Sequence, residues 1–476
     1  MTKNAPSKPY KKLSYKVIKE FTALLGIKNV GTSNVICREY AHDETEDLHY
    51  LPEAVLFPTT TNDVSEILKI CHREGIPVTP SGARTGLSGG ALPLYGGVNL
   101  SFKCMNKIVE IDERNLQATV EPGVINQVFH DACKEKGLFY PPDPSSWGSC
   151  YLGGNLALNA GGPKAVKYGV TNAYVLNLEV VLSDGTVTWT GANVLKNSTG
   201  YNLTQLMVGS EGTLGIITKA VLRLIPYPPH NKLMLVPFAA PEKACEAVSA
   251  IFKAGIVPSA MEFMERDAID YTLKFVDDVR LPVNDEVQAH LLIEVDGHHE
   301  EVLLQEVEQI TDVVEQFEAG EVLFAEAPQE KEALWKLRRR VGEAVKSHSI
   351  YKEEDTVVPR AELAHLLKGV KEIGGEYGFQ SVCYGHAGDG NLHVNIIKGD
   401  LSDKQWNEEV PKAIRKIFEL VHHLGGTISG EHGIGYVQRP YLDVVFSQAQ
   451  MHLQREIKKA FDPKGILNPG KIFMES

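Results

Sequence analysis

The sequence predicts an α+β protein of more than one domain, and three observations carry that expectation. At 476 residues the chain suits two or three domains, with room for a large core and a cleft. Its first half holds short segments rich in β-formers, separated by turns and a few amphipathic helices. From about residue 227 to Gly425, helix-like and strand-like segments alternate, which is the pattern of an α+β unit with a sheet of its own. Apolar content of 43% and charged content of 23% are ordinary for a globular protein, and no internal repeat or low-complexity stretch intervenes.

Taken in order, residues 59–74 read as a helix with Thr61 or Asn62 as N-cap and Val64, Ile67, Leu68 and Cys71 buried. A strand over Ile76–Thr79 leads into the loop Pro80–Gly90. Strands follow at Val98–Phe102, Ile108–Ile111 and Gln117–Val120, with Glu121-Pro122-Gly123 as a turn. Asn126–Lys136 is amphipathic and stops at Gly137. Asn177–Leu182 and Thr186–Thr190 form a hairpin around Asp184-Gly185, and the prolines after Tyr227 end the first block. Pro241–Ala254 then reads as a helix before the strand Met261–Met264.

A net charge of −13 opposes nucleic acid as a partner and requires local Arg or Lys to draw in an anionic substrate. Seven scattered cysteines without a Cys-x-x-Cys spacing argue for a reducing compartment and against a thiolate zinc site. Lys3, Lys8, Lys11 and Lys12 resemble the charged start of a signal peptide, yet Lys16, Lys19 and Glu20 break the apolar run that should follow. No apolar run approaches the roughly 20 residues that span a bilayer. The expectation is a cytoplasmic protein, at most peripheral to the inner membrane face.

Two glycine-rich systems carry the chemistry. The loop 80–90 follows a strand but is neither Gly-x-Gly-x-x-Gly nor a P-loop. Its glycines can turn backbone N–H groups toward an anion, and a plain tight loop accounts for them equally well. Near the C-terminus, His386 and His393 flank the hairpin loop Ala387–Asn391, and Glu431 and His432 sit in Ser429-Gly430-Glu431-His432-Gly433. Two imidazoles and a carboxylate form a divalent-metal ligand set with open positions. In the expected pairing His386 faces His393 across the hairpin, with Asn395 on the same face as His393. The most basic patch, Lys336 to Arg340, lies on a helix that turns Arg338 toward Leu334, Trp335 and Val341, leaving Lys336, Arg339 and Arg340 to solvent.

Residues 80–90, Pro141–Ser146, Gly153–Gly162, Lys167-Tyr168-Gly169 and Gly209–Thr218 succeed one another in an order that resembles the vanillyl-alcohol-oxidase (PCMH-type) FAD-binding domain. The resemblance is greatest to the branch of D-lactate dehydrogenases, the glycolate oxidase FAD subunit and D-2-hydroxyglutarate dehydrogenase, and runs from about Glu53 to Asn468-Pro469-Gly470-Lys471. It implies an N-terminal helical segment (1–48), a PCMH-type FAD-binding domain (49–227), an α+β substrate cap with an antiparallel sheet (228–425) and a returning C-terminal segment (426–476). Pro80, Ser81, Gly82, Ala83, Arg84, Thr85, Gly86 and Leu87 would hold the FAD pyrophosphate. Pro142, Asp143, Ser146, Gly153, Gly154, Asn155, Asn159 and Gly162 would line the ribityl chain and isoalloxazine. Glu211, Gly212, Gly215 and Ile217 would lie near the adenine half, and Asn468 completes the set. Loops 80–90 and 141–162 contain no histidine, so the resemblance implies non-covalent FAD.

The same resemblance implies a metal on His386, His393 and Glu431, zinc first, with manganese or iron as alternatives. His432 would be the general base, Arg338 and Lys352 the substrate-carboxylate clamp, and Asn395 a substrate contact. The implied reaction oxidises a D-2-hydroxy acid, D-lactate or glycolate ahead of D-2-hydroxyglutarate, with hydride passing from Cα to flavin N5. Gly342 departs from the hydroxyglutarate branch, which carries a hydroxyl side chain there, whereas Asn395 agrees with it. Electrons would leave to a non-NAD acceptor: a quinone, a cytochrome, an electron-transfer flavoprotein or an iron–sulfur subunit. A homodimer is the default assembly. Two other readings stay open: an alkylglycerone-phosphate-synthase-like flavin transferase, and a non-catalytic flavin-binding subunit of a larger oxidase.

Overall fold

A computed structural model describes residues 10–276, 281 and 283–474; Lys3 and Lys8 of the basic N-terminus lie outside them. The chain divides into two compact units. One holds residues up to Ala160, Val170–Tyr227 and everything from Glu431 onward, and the other holds Gly161–Gly169 and Pro228–Gly430.

In the first unit, local signals start and stop the helices. Thr60 caps the helix Thr61–Glu74, one residue earlier than the sequence suggested, because its hydroxyl accepts from Asp63 N while the Asp63 carboxylate accepts from Thr60 N. Gly75, at φ 69°, ends it in the left-handed conformation. Val64, Ile67, Leu68 and Cys71 are buried with Phe21, Leu56 and Leu100 in one core. The next strand is Val78–Ser81 rather than Ile76–Thr79, so Pro80 and Ser81 belong to it and not to the loop. It pairs in parallel with Val98–Ser101 as the last strand of a four-stranded sheet. An edge position suits a proline, which has no N–H for a ladder. A five-stranded antiparallel sheet runs in the order Ile108–Asp112, Gln117–Val120, Ile216–Arg223, Val175–Val181, Val187–Trp189. Its last pair is the predicted hairpin, with Gly185 at φ 88°.

The second unit is one seven-stranded antiparallel sheet: β1 (His230–Phe238), β2 (Ala260–Glu265), β3 (Ala289–Gly297), β4 (Leu323–Ala325), β5 (Tyr351–Val357), β6 (Gln380–His386) and β7 (Asn391–Ile397), in the order β4-β1-β3-β2-β6-β7-β5. Register fixes which side chains share a face, since alternate residues point to opposite sides. Leu235, Leu292, Met264, Tyr384, Val382 and Tyr351 share one face and pack under the helices Arg266–Phe275, Pro328–Arg339 and Val341–His348.

Candidate active site

The β6–β7 hairpin builds the centre of the site. Tyr384 pairs with His393 and His386 with Asn391, so His386 does not stand opposite His393 as expected. The loop is tighter than the sequence implied: Ala387–Asp389 make one 3-10 turn and Gly390, at φ 83°, closes it. Only glycine fits there, because a Cβ would lie 2.0 Å from the Val358 carbonyl oxygen. The register differs by an even number, so both histidines still project from one face. Their rings lie 5.5 Å apart at 81°, and both side chains are buried.

Acids from neighbouring strands face both rings. His386 Nδ1 lies 2.9 and 2.8 Å from the two oxygens of Glu262 on β2. His393 Nδ1 faces Glu353 at 3.5 Å and Asp355 at 3.8 Å, both on β5. A carboxylate at Nδ1 is the partner typical of histidines that bind an ion through Nε2. The same Glu262 pairs with Arg338 Nη2 at 2.7 Å, where Arg338 is 3% exposed and Glu262 0%. That contact is electrostatic rather than a well-aligned hydrogen bond. Among the described residues, neither Nη2 nor the buried Nε has an acceptor in bonding geometry. The Tyr384 ring lies 5.1 Å from the guanidinium and 5.2 Å from the His393 ring. Glu262, Glu353 and Asp355 escaped the sequence reading. Its one available signal was a glutamate inside the apolar strand Met261-Glu262-Phe263-Met264, where a buried charge requires a partner.

Two other expected substrate residues separate. Asn395 pairs with Glu353 and lies on the histidine face, its Nδ2 donating to the Val382 carbonyl at 3.3 Å. Lys352 pairs with Ile396, one residue out of phase, so alternation sends it to the opposite face. There its Nζ lies 5.3 Å from the Trp406 ring, and the structure does not bring it beside Arg338. Of the patch around Arg338, Lys336 is exposed, while Arg339 stacks on Trp335 and Arg340 on Phe275.

Two carboxylates fix the segment carrying Glu431 and His432. In the second unit, Ser429 Oγ and Gly430 N donate to Asp355 Oδ2 at 3.0 and 2.8 Å. The chain then enters the first unit, where His432 Nε2 lies 3.6 Å from Glu431 Oε1 and the His432 carbonyl accepts from Ser88 Oγ at 2.7 Å. Ile434 N and Gly435 N donate to the Glu211 carboxylate at 2.7 and 2.8 Å. Burial pushes the Glu211 carboxyl up to about 7 against the pull of those two N–H groups. Glu211, expected beside the adenine, thus spends its side chain on the segment that follows His432.

The remaining glycine-rich residues gather within the first unit, except Gly162, which belongs to the second. Ser81 Oγ donates to Asn99 Oδ1 at 2.7 Å. Gly82 approaches Gly154 N, 3.7 Å from where its own Cβ would stand. Arg84, at φ 62°, stacks 4.0 Å over Tyr40, and Asp143 and Asn155 are buried. Asn159, left-handed at φ 55°, ends the helix Leu152–Leu158 and accepts from Asn172 N at 2.9 Å. Gly212 packs on Pro80, Gly215 on Met207, and Ile217 lies in the strand Ile216–Arg223. Asn468 donates to the carbonyls of Gly90 and Glu211 at 3.0 and 2.7 Å, joining the C-terminal segment to both loops. At Gly154 an added Cβ would meet no atom within 4 Å, while its own N–H donates to the Tyr151 carbonyl at 3.0 Å.

Residues 52–191 match the FAD binding domain family, and residues 227–472 match the family described as FAD linked oxidases, C-terminal domain. The chain is therefore an oxidoreductase with an FAD-binding domain, and its fold is the PCMH-type FAD-binding fold. It belongs to the FAD-linked oxidase family. It is 41% identical to glycolate oxidase subunit GlcD of Bacillus subtilis, over 94% of each chain. It is 39% identical to D-lactate dehydrogenase of Anaerostipes hadrus, over 97% of this chain and 98% of that one. The fold matches p-cresol methylhydroxylase with a TM-score of 0.80 at 19% identity, over 98% of both chains.

Proposed function

We propose that this chain oxidises a small D-2-hydroxy acid to the 2-oxo acid, using FAD and a divalent ion held by His386, His393 and Glu431. D-lactate and glycolate are the preferred substrates and D-2-hydroxyglutarate the next. One observation carries the reading. Two imidazoles share a buried face 5.5 Å apart, each with Nδ1 turned to carboxylates, beside a guanidinium whose Nε keeps a donor in reserve. The names of the relatives, a glycolate oxidase subunit and a D-lactate dehydrogenase, support the substrate class.

When bound, the ion supplies the Lewis acidity that lowers a hydroxyl pKa, and the flavin supplies the two-electron acceptor. The chain does the rest. Arg338 offers a planar fork to the substrate carboxylate, a local cation in a chain of net charge −13. Asn395, two residues beyond His393 on its face, adds an amide to the substrate wall. His432 takes the hydroxyl proton at Nε2, the nitrogen on the Glu431 side, and the flavin, when bound, would supply the acceptor for the hydride from Cα. The products would be a 2-oxo acid and a protonated imidazole, with the two electrons held by the flavin and passed on to a non-NAD acceptor. Gly342 favours a short substrate: a Cβ there would lie 3.1 Å from the Tyr384 hydroxyl, so the tyrosine takes the place of a side chain at that position.

Anaerobic mixing with a panel of D- and L-hydroxy acids tests the proposal. Bleaching of flavin absorbance by D-lactate or glycolate, together with one equivalent of bound metal, is the expected result. Flavin that no hydroxy acid reduces would instead favour a non-catalytic subunit. His393→Ala should leave FAD bound while abolishing metal and turnover, and metal retained by that variant would remove His393 from the ligand set.

A further inference from the structure

Glu262 is a carboxylate that touches both halves of the proposed site. It is fully buried, and its two oxygens meet His386 Nδ1 at 2.9 and 2.8 Å and Arg338 Nη2 at 2.7 Å. It sits on β2 two residues before Met264, which pairs with Tyr384 of β6, so the sheet delivers it to the histidine face. A carboxylate so deep requires cationic or N–H partners, and among its partners are the expected metal ligand and the expected carboxylate-binding arginine. The same negative charge is therefore divided between a ring that must donate to a cation and a fork that must accept an anion.

We propose that Glu262 is a positioning residue that couples the two binding events. It fixes the His386 ring with Nε2 outward, holds the Arg338 fork, and makes metal affinity depend on the charge at residue 338. This rests on the metal reading above and adds to it that Arg338, which is no metal ligand, nevertheless sets how tightly the ion is held. The sign follows from electrostatics. Removing the guanidinium releases the carboxylate oxygen it faces and takes a positive charge from beside the cation, so the ion binds more tightly.

The test uses the flavin-loaded full chain and zinc alone, titrated against a chelator of known affinity. Glu262→Gln, which keeps the shape and removes the charge, should weaken zinc binding by about ten- to a hundredfold. It should also raise KM for the hydroxy acid, with FAD content unchanged. Glu262→Asp should recover part of the zinc affinity. Arg338→Met should tighten zinc several-fold, a change that loss of packing alone does not produce. If Glu262→Gln fails to fold, Arg338→Met still decides the matter. Unchanged zinc affinity in Arg338→Met, or in a folded Glu262→Gln, overturns the coupling while leaving the functional reading intact. Wild-type protein that takes up no ion overturns both.

Discussion

Arg338 illustrates how burial turns a common surface residue into a recognition element. A guanidinium that keeps an unpaired donor at 3% exposure forgoes hydration unless an anion arrives. On the proposed reading, Arg338→Ala should raise KM by roughly ten- to a hundredfold, because charge-assisted hydrogen bonds to a bound carboxylate contribute about 1.5–3 kcal/mol. Steady-state kinetics with D-lactate would check this. Lys352→Ala should change KM by less than about threefold, since Lys352 lies on the far face of β5 beside Trp406; a large effect would contradict the register argument. Residue-level legibility divided along the same line. His386, His393 and Arg338 stood out because their neighbours in sequence are distinctive. Glu262, Glu353 and Asp355 did not, because they reach the histidines across strand pairings that no local pattern encodes.

At the scale of elements, periodicity and caps were readable where the determinants are local. The helix Thr61–Glu74 and the hairpin at Gly185 follow from a capping box and an Asp-Gly turn. Register in the β6–β7 hairpin was harder. The loop sequence Ala387–Gly390 permits several closures, and the 3-10 turn that wins depends on the approach of the Val358 carbonyl. Gly390→Ala tests that closure. Its positive φ and the 2.0 Å clash should cost about 2 kcal/mol or more, measured as a lower urea midpoint. Any metal bound by both histidines should be lost in parallel.

For the whole molecule, pH dependence is written into the first unit. Glu211 has its carboxyl raised from 4.5 to about 7 by burial. Between those values the folded chain keeps a proton that the unfolded chain releases, so this group's contribution to stability falls as pH rises through that window. Lys471 is shifted the other way, from 10.5 to about 7, by burial that outweighs Asp43 and Glu211. Above pH 7 the unfolded chain holds the extra proton, and stability from this group rises until 10.5. Urea midpoints across pH 5–10 should therefore lose their downward limb in Glu211→Gln and their upward limb in Lys471→Met.

The excursion Gly161–Gly169 was the least legible part of the architecture, since that glycine-rich block shows no apolar periodicity. Its Lys164 pairs with buried Glu294, and Lys167 and Tyr168 each bind Asp296 Oδ1 at 2.7 Å. A recombinant fragment spanning only 228–430 would leave these acids without their cations, and should be recovered as aggregate. Adding a synthetic nonapeptide covering 161–169 should rescue it, in the manner of fragment complementation.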